Sequence, residues 1–161
     1  MRSESLDLGE FIREHQLEAE IVAPGVPMPT VDTAAAAMGM APEQIFKSIL
    51  FQARDGHCVL VVASGNERID VSRVETLTGL TGLQFAKPGV ARAVTGFSPG
   101  GTPPVGHREC VPVLVDTRVA AQEWGYAGAG RPELLVKIKS ADIIRLSNAA
   151  VHDVTGASHG R

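Results

Sequence analysis

The chain has 161 residues, 44% of them apolar and 20% charged, which suits one folded domain with a real core and is too apolar for a disordered chain. Lys and Arg total 15 against 18 Asp and Glu, a formal net charge of −3, which excludes a general nucleic-acid coat but leaves room for recognition of one RNA end through a local patch. No apolar run is long enough to span a membrane, and the two cysteines, Cys58 and Cys110, form neither a CxxC pair nor a zinc spacing.

In chain order, the polar start from Met1 to Ser5 has no signal-peptide core, and a cytoplasmic protein is expected. Residues 6–17 place Leu8, Phe11, Ile12 and His15 at helical spacing. Residues 20–23 predict a short strand and 24–29 a loop. Thr30 is placed to cap an alanine-rich helix ending near Gly39, with Asp32 favourably in its first turn. Pro42 opens a short turn. Residues 45–53 predict a strand, Asp55-Gly56 a hairpin turn, and residues 57–63 the partner strand. Both strands are apolar on most positions of both faces, so the hairpin is expected at the centre, with Cys58 as a small buried hydrophobe.

Alternation along the first of these strands puts Ile45, Lys47, Ile49 and Phe51 on one face. An ammonium there needs a cleft or a carboxylate. The commoner fate of a strand lysine is a stem that runs past apolar neighbours to water.

Asp70 is placed to cap a helix over 71–78, with Val71, Val74 and Leu77 inward. Residues 83–86 predict a strand. Pro88 starts a short helix through Val94, and Gly96 stops it. The window 97–106, Phe-Ser-Pro-Gly-Gly-Thr-Pro-Pro-Val-Gly, then holds three prolines and three glycines. Proline fixes φ and glycine permits positive φ, so this loop is rigid and its remaining N–H groups can point at a ligand. Such loops are usually turns; together with Lys47 this one reads as the second wall of a site.

Residues 111–115 predict a strand ending in Asp116, which either caps the short helix leading to Trp124 or borders a site at the strand end. Gly128-Ala129-Gly130 reads as a turn or as a backbone wall that a ligand can approach closely. Residues 134–138 predict a strand, Ser140 a cap for a last helix with Ile143, Ile144 and Leu146, and 155–161 a polar, frayed tail. Interspersed helices and strands with a clear hairpin predict an α/β domain with a mixed sheet.

Gly100-Gly101 is not followed by a Lys-Ser/Thr pair, so a phosphate-cradling P-loop is not expected. His107, Glu109 and Cys110 cluster without a helical ligand pair, and no metal or cofactor is assigned. A nucleophilic pair of Cys110 and His107 requires that the fold bring them together.

Three segments in this order and spacing, Ile45-Phe46-Lys47-Ser48-Ile49-Leu50-Phe51, Gly100-Gly101-Thr102-Pro103-Pro104-Val105-Gly106 and Gly128-Ala129-Gly130, resemble the YbaK/ProX family. These are aminoacyl-tRNA editing proteins related to the insertion domain of bacterial prolyl-tRNA synthetase. The resemblance covers about residues 30–154 and includes Val113-Leu114-Val115-Asp116 and Ile143-Ile144-Arg145-Leu146. It implies a single α/β domain, residues 1–161 with a core over 30–154 and a polar C-terminal tail, built on a curved mixed sheet or partial barrel flanked by helices. It implies a freestanding hydrolase that cleaves the ester of mischarged Cys- or Ala-tRNA-Pro without a cofactor. Its partners would be the acceptor end of that tRNA and a prolyl-tRNA synthetase, with neither membrane nor DNA.

The resemblance carries the family's lysine onto Lys47, its loop onto Gly100, Gly101 and Pro104, and its glycine turn onto Gly128 and Gly130; with the residue readings above, Lys47, Gly100 and Gly101 are expected in catalysis and Thr102, Pro104, Gly106, Asp116, Gly128 and Gly130 in substrate binding. Two departures bear on selectivity. Gly128-Ala129 stands where some members have a serine, and Ser48 where some alanine-specific relatives have an asparagine. Met28, Val31 and Ile49 are candidates to line the pocket, and Arg68, Arg131 and Lys137 to form the local tRNA patch. Water would attack the ester, and no protein general base is evident. The alternative from a different class is a non-catalytic module that holds a tRNA end or small ligand in the same cleft.

Overall fold

The computed structural model describes residues 7–155. The expectations for Met1 to Ser5, for the helix start at Leu6, and for the tail from residue 156 lie outside the described residues. Helix α1 (Leu8–Glu14) is capped by Asp7, whose carboxylate accepts the Gly9 N–H at 2.9 Å. Strand β1 (Glu20–Val22) precedes helix α2 (Val31–Met38). Thr30 caps α2 reciprocally with Thr33, and Gly39 ends it at φ +64°. A 3-10 turn, Pro42–Gln44, leads into the hairpin of β2 (Ile45–Gln52) and β3 (Cys58–Ser64). Helix α3 (Val71–Thr78), capped by Asp70, precedes the two-residue β4 (Gln84–Phe85) and α4 (Pro88–Thr95).

After the glycine-proline loop come β5 (Val113–Asp116), α5 (Thr117–Ala120), β6 (Trp124–Gly128), β7 (Leu135–Lys139), α6 (Ser140–Ser147) and β8 (Ala150–His152). All strands join one mixed sheet in the order β1-β7-β6-β2-β3-β5-β8, with β4 added beside β2. The hairpin β2–β3 is central and antiparallel, while β2–β6, β3–β5 and β5–β8 are parallel. The architecture is the expected mixed α/β one.

Alternation along β2 and β3 divides the core. Phe46, Leu50, Leu60 and Val62 face a cluster completed by Leu8, Ala91, Val119 and Ile143 from helices α1, α4, α5 and α6. The opposite face carries two separate clusters. One, under α3, holds Phe51, Val59, Val61 and Val74; the other, under α2, holds Ala34, Ala35, Ile45 and Leu135.

Several local expectations need correction. The short helix expected to lead to Trp124 ends at Ala120, Trp124 opens strand β6, and Gly128 is the last residue of that strand rather than part of a turn. A run of Trp-Gly-Tyr-Ala-Gly has weak strand propensity by itself. It becomes a strand because β7 pairs along it from Trp124↔Lys139 to Gly128↔Leu135. The short exposed strand β8 was likewise not anticipated. Ser140 does not cap α6: it is the first helical residue, and its Oγ donates to the Gln122 carbonyl. Thr155, expected in a frayed tail, is buried and accepts a hydrogen bond from Arg118.

Candidate active site

The candidate site lies where the cover of β2 is interrupted twice. Along its edge, β2 pairs with β6 only at Ile45 and Phe46 and with β4 only at Phe51 and Gln52. The Ala86 N–H reaches back to the Leu50 carbonyl at 2.9 Å. Residues 47–49 therefore lack a strand neighbour on that edge. Peptide groups alternate in direction along a strand, so Ser48 turns its N–H and C=O to the same side as Leu50, into the gap. Across its face, Lys47 and Ile49 sit between the cluster under α2 and the cluster under α3.

The glycine-proline loop closes over this gap. The result is a cleft of about 270 Å³, walled by Met28, Thr30 and Val31 before and at the start of α2, by Lys47, Ser48 and Ile49, and by Gly100, Gly101, Thr102, Gly128 and Arg131. Met28, Val31 and Ile49 thus line it as anticipated.

Lys47 is half-buried here, and its Nζ donates to the Glu67 backbone carbonyl at 2.7 Å. Of the two expected surroundings, a cleft or a carboxylate, Lys47 has the cleft, and its hydrogen bond is to a main-chain oxygen. Burial lowers the ammonium's pKa below the ordinary lysine value, and the nearby Glu67 charge only partly opposes this. Beside it, Ser48 Oγ is buried with no hydrogen-bond partner, the one such side-chain atom among the described residues. A buried hydroxyl without a partner is costly, and a polar ligand group in the cleft would satisfy it. In the sequence Ser48 was signalled by its place beside Lys47 and by standing where some alanine-specific relatives have an asparagine.

The loop is held at both ends. The Arg108 N–H bonds the Thr95 carbonyl at 3.0 Å, and the Glu109 N–H bonds that of Val94 at 2.9 Å. Buried Thr95 donates its hydroxyl to the Ala91 carbonyl at 2.7 Å and accepts the Phe97 N–H at 3.0 Å. Ser98 to Gly101 has the pattern of a type II turn, with proline second and Gly100 third at φ +95°. The Gly101 N–H reaches the Ser98 carbonyl at 3.4 Å.

Two glycine segments then cross. The Gly101 carbonyl accepts the Gly130 N–H at 2.7 Å. A Cβ on Gly128 would lie 2.6 Å from the Thr102 carbonyl oxygen. Gly128 is therefore small so that the loop can approach β6, a reason different from the turn or ligand wall expected for it.

Five of the anticipated site residues, Lys47, Gly100, Gly101, Thr102 and Gly128, meet in this cleft. Gly130 and Pro104 do not line it; Gly130 clamps Gly101, and Pro104 is buried within the loop. Gly106 lies apart, beside the ring of Phe11 in a second hollow. Asp116 is not brought to the cleft either. It is fully buried, accepting the Arg118 N–H at 2.9 Å as cap of α5 and the Val154 N–H at 2.9 Å. Of the anticipated tRNA-facing cations, Arg131 lines the cleft and pairs with Glu133 at 3.2 Å. Lys137 lies over the Trp124 ring, and Arg68 is exposed.

His107 and Cys110 line the second hollow, but no hydrogen bond joins them among the described residues. The ring instead bonds the Pro103 carbonyl at 2.7 Å through Nε2. A carbonyl can only accept, so Nε2 carries the proton. Burial lowers the His107 pKa, against the opposing effect of that bond. Between the ordinary 6.5 and the lower folded value, the unfolded chain binds a proton that the folded chain does not. Stability supplied at His107 is thus present above pH 6.5 and lost as pH falls through the folded pKa. The urea midpoint is expected to drop on acidification in the parent and less in His107→Gln; equal acid loss in both would assign the effect to other groups. No group of three or more His, Cys, Asp or Glu among the described residues could hold a metal.

A family model described as an aminoacyl-tRNA editing domain matches residues 26–146. The proline–tRNA ligase of Bacillus licheniformis is 31% identical over 127 residues, 79% of this chain and 22% of the ligase. That of Limosilactobacillus fermentum is 33% identical over 104 residues, 62% of this chain and 18% of the ligase. The chain thus spans about a fifth of the length of these relatives. Among solved structures, a hypothetical protein superposes with a TM-score of 0.84 at 26% identity, covering 91% of this chain and 97% of that one. A candidate trans-editing enzyme for prolyl tRNA synthetase superposes with a TM-score of 0.78 at 31% identity, covering 85% and 86% respectively.

Proposed function

The chain belongs to the aminoacyl-tRNA editing domain family, and from that premise we propose that it is a trans-acting deacylase that hydrolyses mischarged Cys- or Ala-tRNA-Pro. On this reading the editing unit is the core over residues 30–154 of one domain spanning 1–161. Its partners are the aminoacylated acceptor end and a prolyl-tRNA synthetase that supplies the mischarged product.

The observation that carries this reading is the half-desolvated ammonium of Lys47 on the uncovered face of β2, sharing one small cleft with the Gly100–Thr102 segment. An aminoacyl ester is already activated, so its hydrolysis needs positioning and charge stabilisation more than a strong nucleophile. Water adds to the ester carbonyl carbon, negative charge gathers on the carbonyl oxygen, and the bond to the ribose oxygen breaks. The products are the free amino acid and the tRNA 3′-terminal ribose with its hydroxyl restored. Lys47 is assigned to stabilising the developing charge. Gly100 and Gly101 are assigned to presenting backbone at the ester, with Thr102 and Gly128 shaping the wall. Ser48, through its unpartnered hydroxyl and gap-facing peptide groups, is assigned to holding polar atoms of the aminoacyl group. Pro104, Gly106 and Gly130 support the loop from outside the cleft, and Asp116 acts from further away, as the cap that ends β5.

Selectivity on this reading is steric. A cleft bounded by rigid backbone can exclude a prolyl ring, whereas discrimination by a missing methylene is worth only about 1–3 kcal/mol. Deacylation of Ala-, Cys-, Ser- and Pro-tRNA-Pro by the purified protein tests it. Hydrolysis of one mischarged species with Pro-tRNA-Pro spared is the expected result. Binding of the tRNA with no turnover of any ester would overturn the hydrolase in favour of a holding module.

A further inference from the structure

Phe85 is 72% exposed, the most open large apolar side chain among the described residues. It is nonetheless fixed in place. Strand β4 pairs it with Phe51, and the two ring centroids lie 5.3 Å apart, with Phe51 buried beneath. On one side Phe85 walls an apolar chamber of about 270 Å³ with Leu50, Ala86, Ala91 and Pro99. That chamber shares Ser48, Ile49, Gly100 and Thr102 with the Lys47 cleft, so the two form one trough astride the gap in β2's edge. On its other side Phe85 walls a polar hollow with Gln52, Arg54, Gln84 and Lys87. Arg54 lies along Gly82, where a Cβ would come within 3.2 Å of its Nε. Neither Arg54 nor Lys87 has an ion-pair partner among the described residues.

We propose that Phe85 is the stacking platform for the terminal base of a single-stranded RNA acceptor end, with Arg54 and Lys87 taking the phosphates that follow it. The proposal rests on the editing reading and fixes the direction in which the substrate lies: base over Phe85, aminoacyl ester in the Lys47 cleft. A fixed aromatic face beside unpaired cations is the pairing that binds unpaired nucleotides, since every base has a π-face and every linkage a phosphate. In a chain of net charge −3, such attraction has to be local.

The test uses an uncharged acceptor-stem RNA whose terminal adenine is replaced by 2-aminopurine. The parent protein is expected to quench the probe on binding. Phe85→Leu, which keeps an apolar cover over Phe51 but has no π-face, is expected to lose the quench and bind about tenfold more weakly, the scale of one base stack. Phe85→Trp should retain both. Arg54→Ala and Lys87→Ala should each flatten the slope of log affinity against log salt by about 0.7, the value for one phosphate contact on a single strand. Unchanged quench and affinity in a folded Phe85→Leu would overturn the platform and leave the editing reading standing. A parent protein that neither binds this RNA nor deacylates any tRNA would overturn both.

Discussion

Lys47→Met is expected to lower kcat/KM for deacylation about 100-fold, the usual scale for removing one group that stabilises charge developing in a transition state. The substitution keeps an apolar stem where the lysine chain lies between Ile45 and Ile49 on one face of β2, and removes only the ammonium. Its loss leaves the Glu67 carbonyl without that donor, but it also relieves the burial that depresses the lysine pKa. The melting midpoint should therefore be kept or raised while activity collapses. A midpoint lower by many degrees would mean that lost structure explains lost activity, and parental turnover would remove Lys47 from the reaction.

The lowered pKa adds a second readout. The ammonium gives up its proton at a lower pH than an ordinary lysine, whose value is 10.5. After subtraction of uncatalysed ester hydrolysis, the parent rate should decline on its alkaline side below that value. The Met variant should show no such limb.

Gly128→Ala is expected to cost about 10- to 100-fold in kcat/KM by a different route. Its Cβ would stand 2.6 Å from the Thr102 carbonyl oxygen and 2.9 Å from the Gly101 carbonyl carbon and oxygen. All three atoms are backbone, so no side chain can swing away. The loop has to lift from β6, straining the 2.7 Å bond from Gly130 to Gly101 and moving one wall of the cleft relative to Lys47. Displacements of about 1 Å at a reacting centre can cost a hundredfold in rate. The accompanying overpacking should destabilise the chain by about 1–3 kcal/mol in urea unfolding. Gly89→Ala is the control: it sits in α4 with open space around its Cβ and should be neutral or slightly stabilising. Parental activity in Gly128→Ala would show that the loop's seat on β6 does not set the geometry of the reaction.

The local signals were legible in the chain. Thr30, Asp70 and Gly96 mark helix ends because a capping oxygen or a left-handed residue acts on its immediate neighbours. Asp55-Gly56 marks the hairpin, and alternation along β2 puts Lys47 on the face where it is found. The composition of residues 97–106 foretold a stiff loop, and its ordering with Lys47 and the later glycines pointed to editing.

What stayed illegible depends on pairs far apart in the chain. Strand β6 exists because β7 and β2 pair with it, not because Trp-Gly-Tyr-Ala-Gly favours extension. Asp116 looked the same as a strand-end site residue and as a cap, and only the fold shows that one carboxylate oxygen accepts the Val154 N–H while the other caps α5 beside the Arg118 guanidinium. Gly128 was visible as a glycine, but its crowding by the Gly101–Thr102 backbone was not. The cleft itself is an interruption: β6 and β4 each stop short along β2, and two helices leave a face uncovered. Periodicity and capping act within a few residues and so determined by themselves the helix ends at Thr30, Asp70 and Gly96 and the central hairpin. Where the sheet would leave an edge open, and which backbone would close over it, was decided only by long-range pairing and close packing in the tertiary structure.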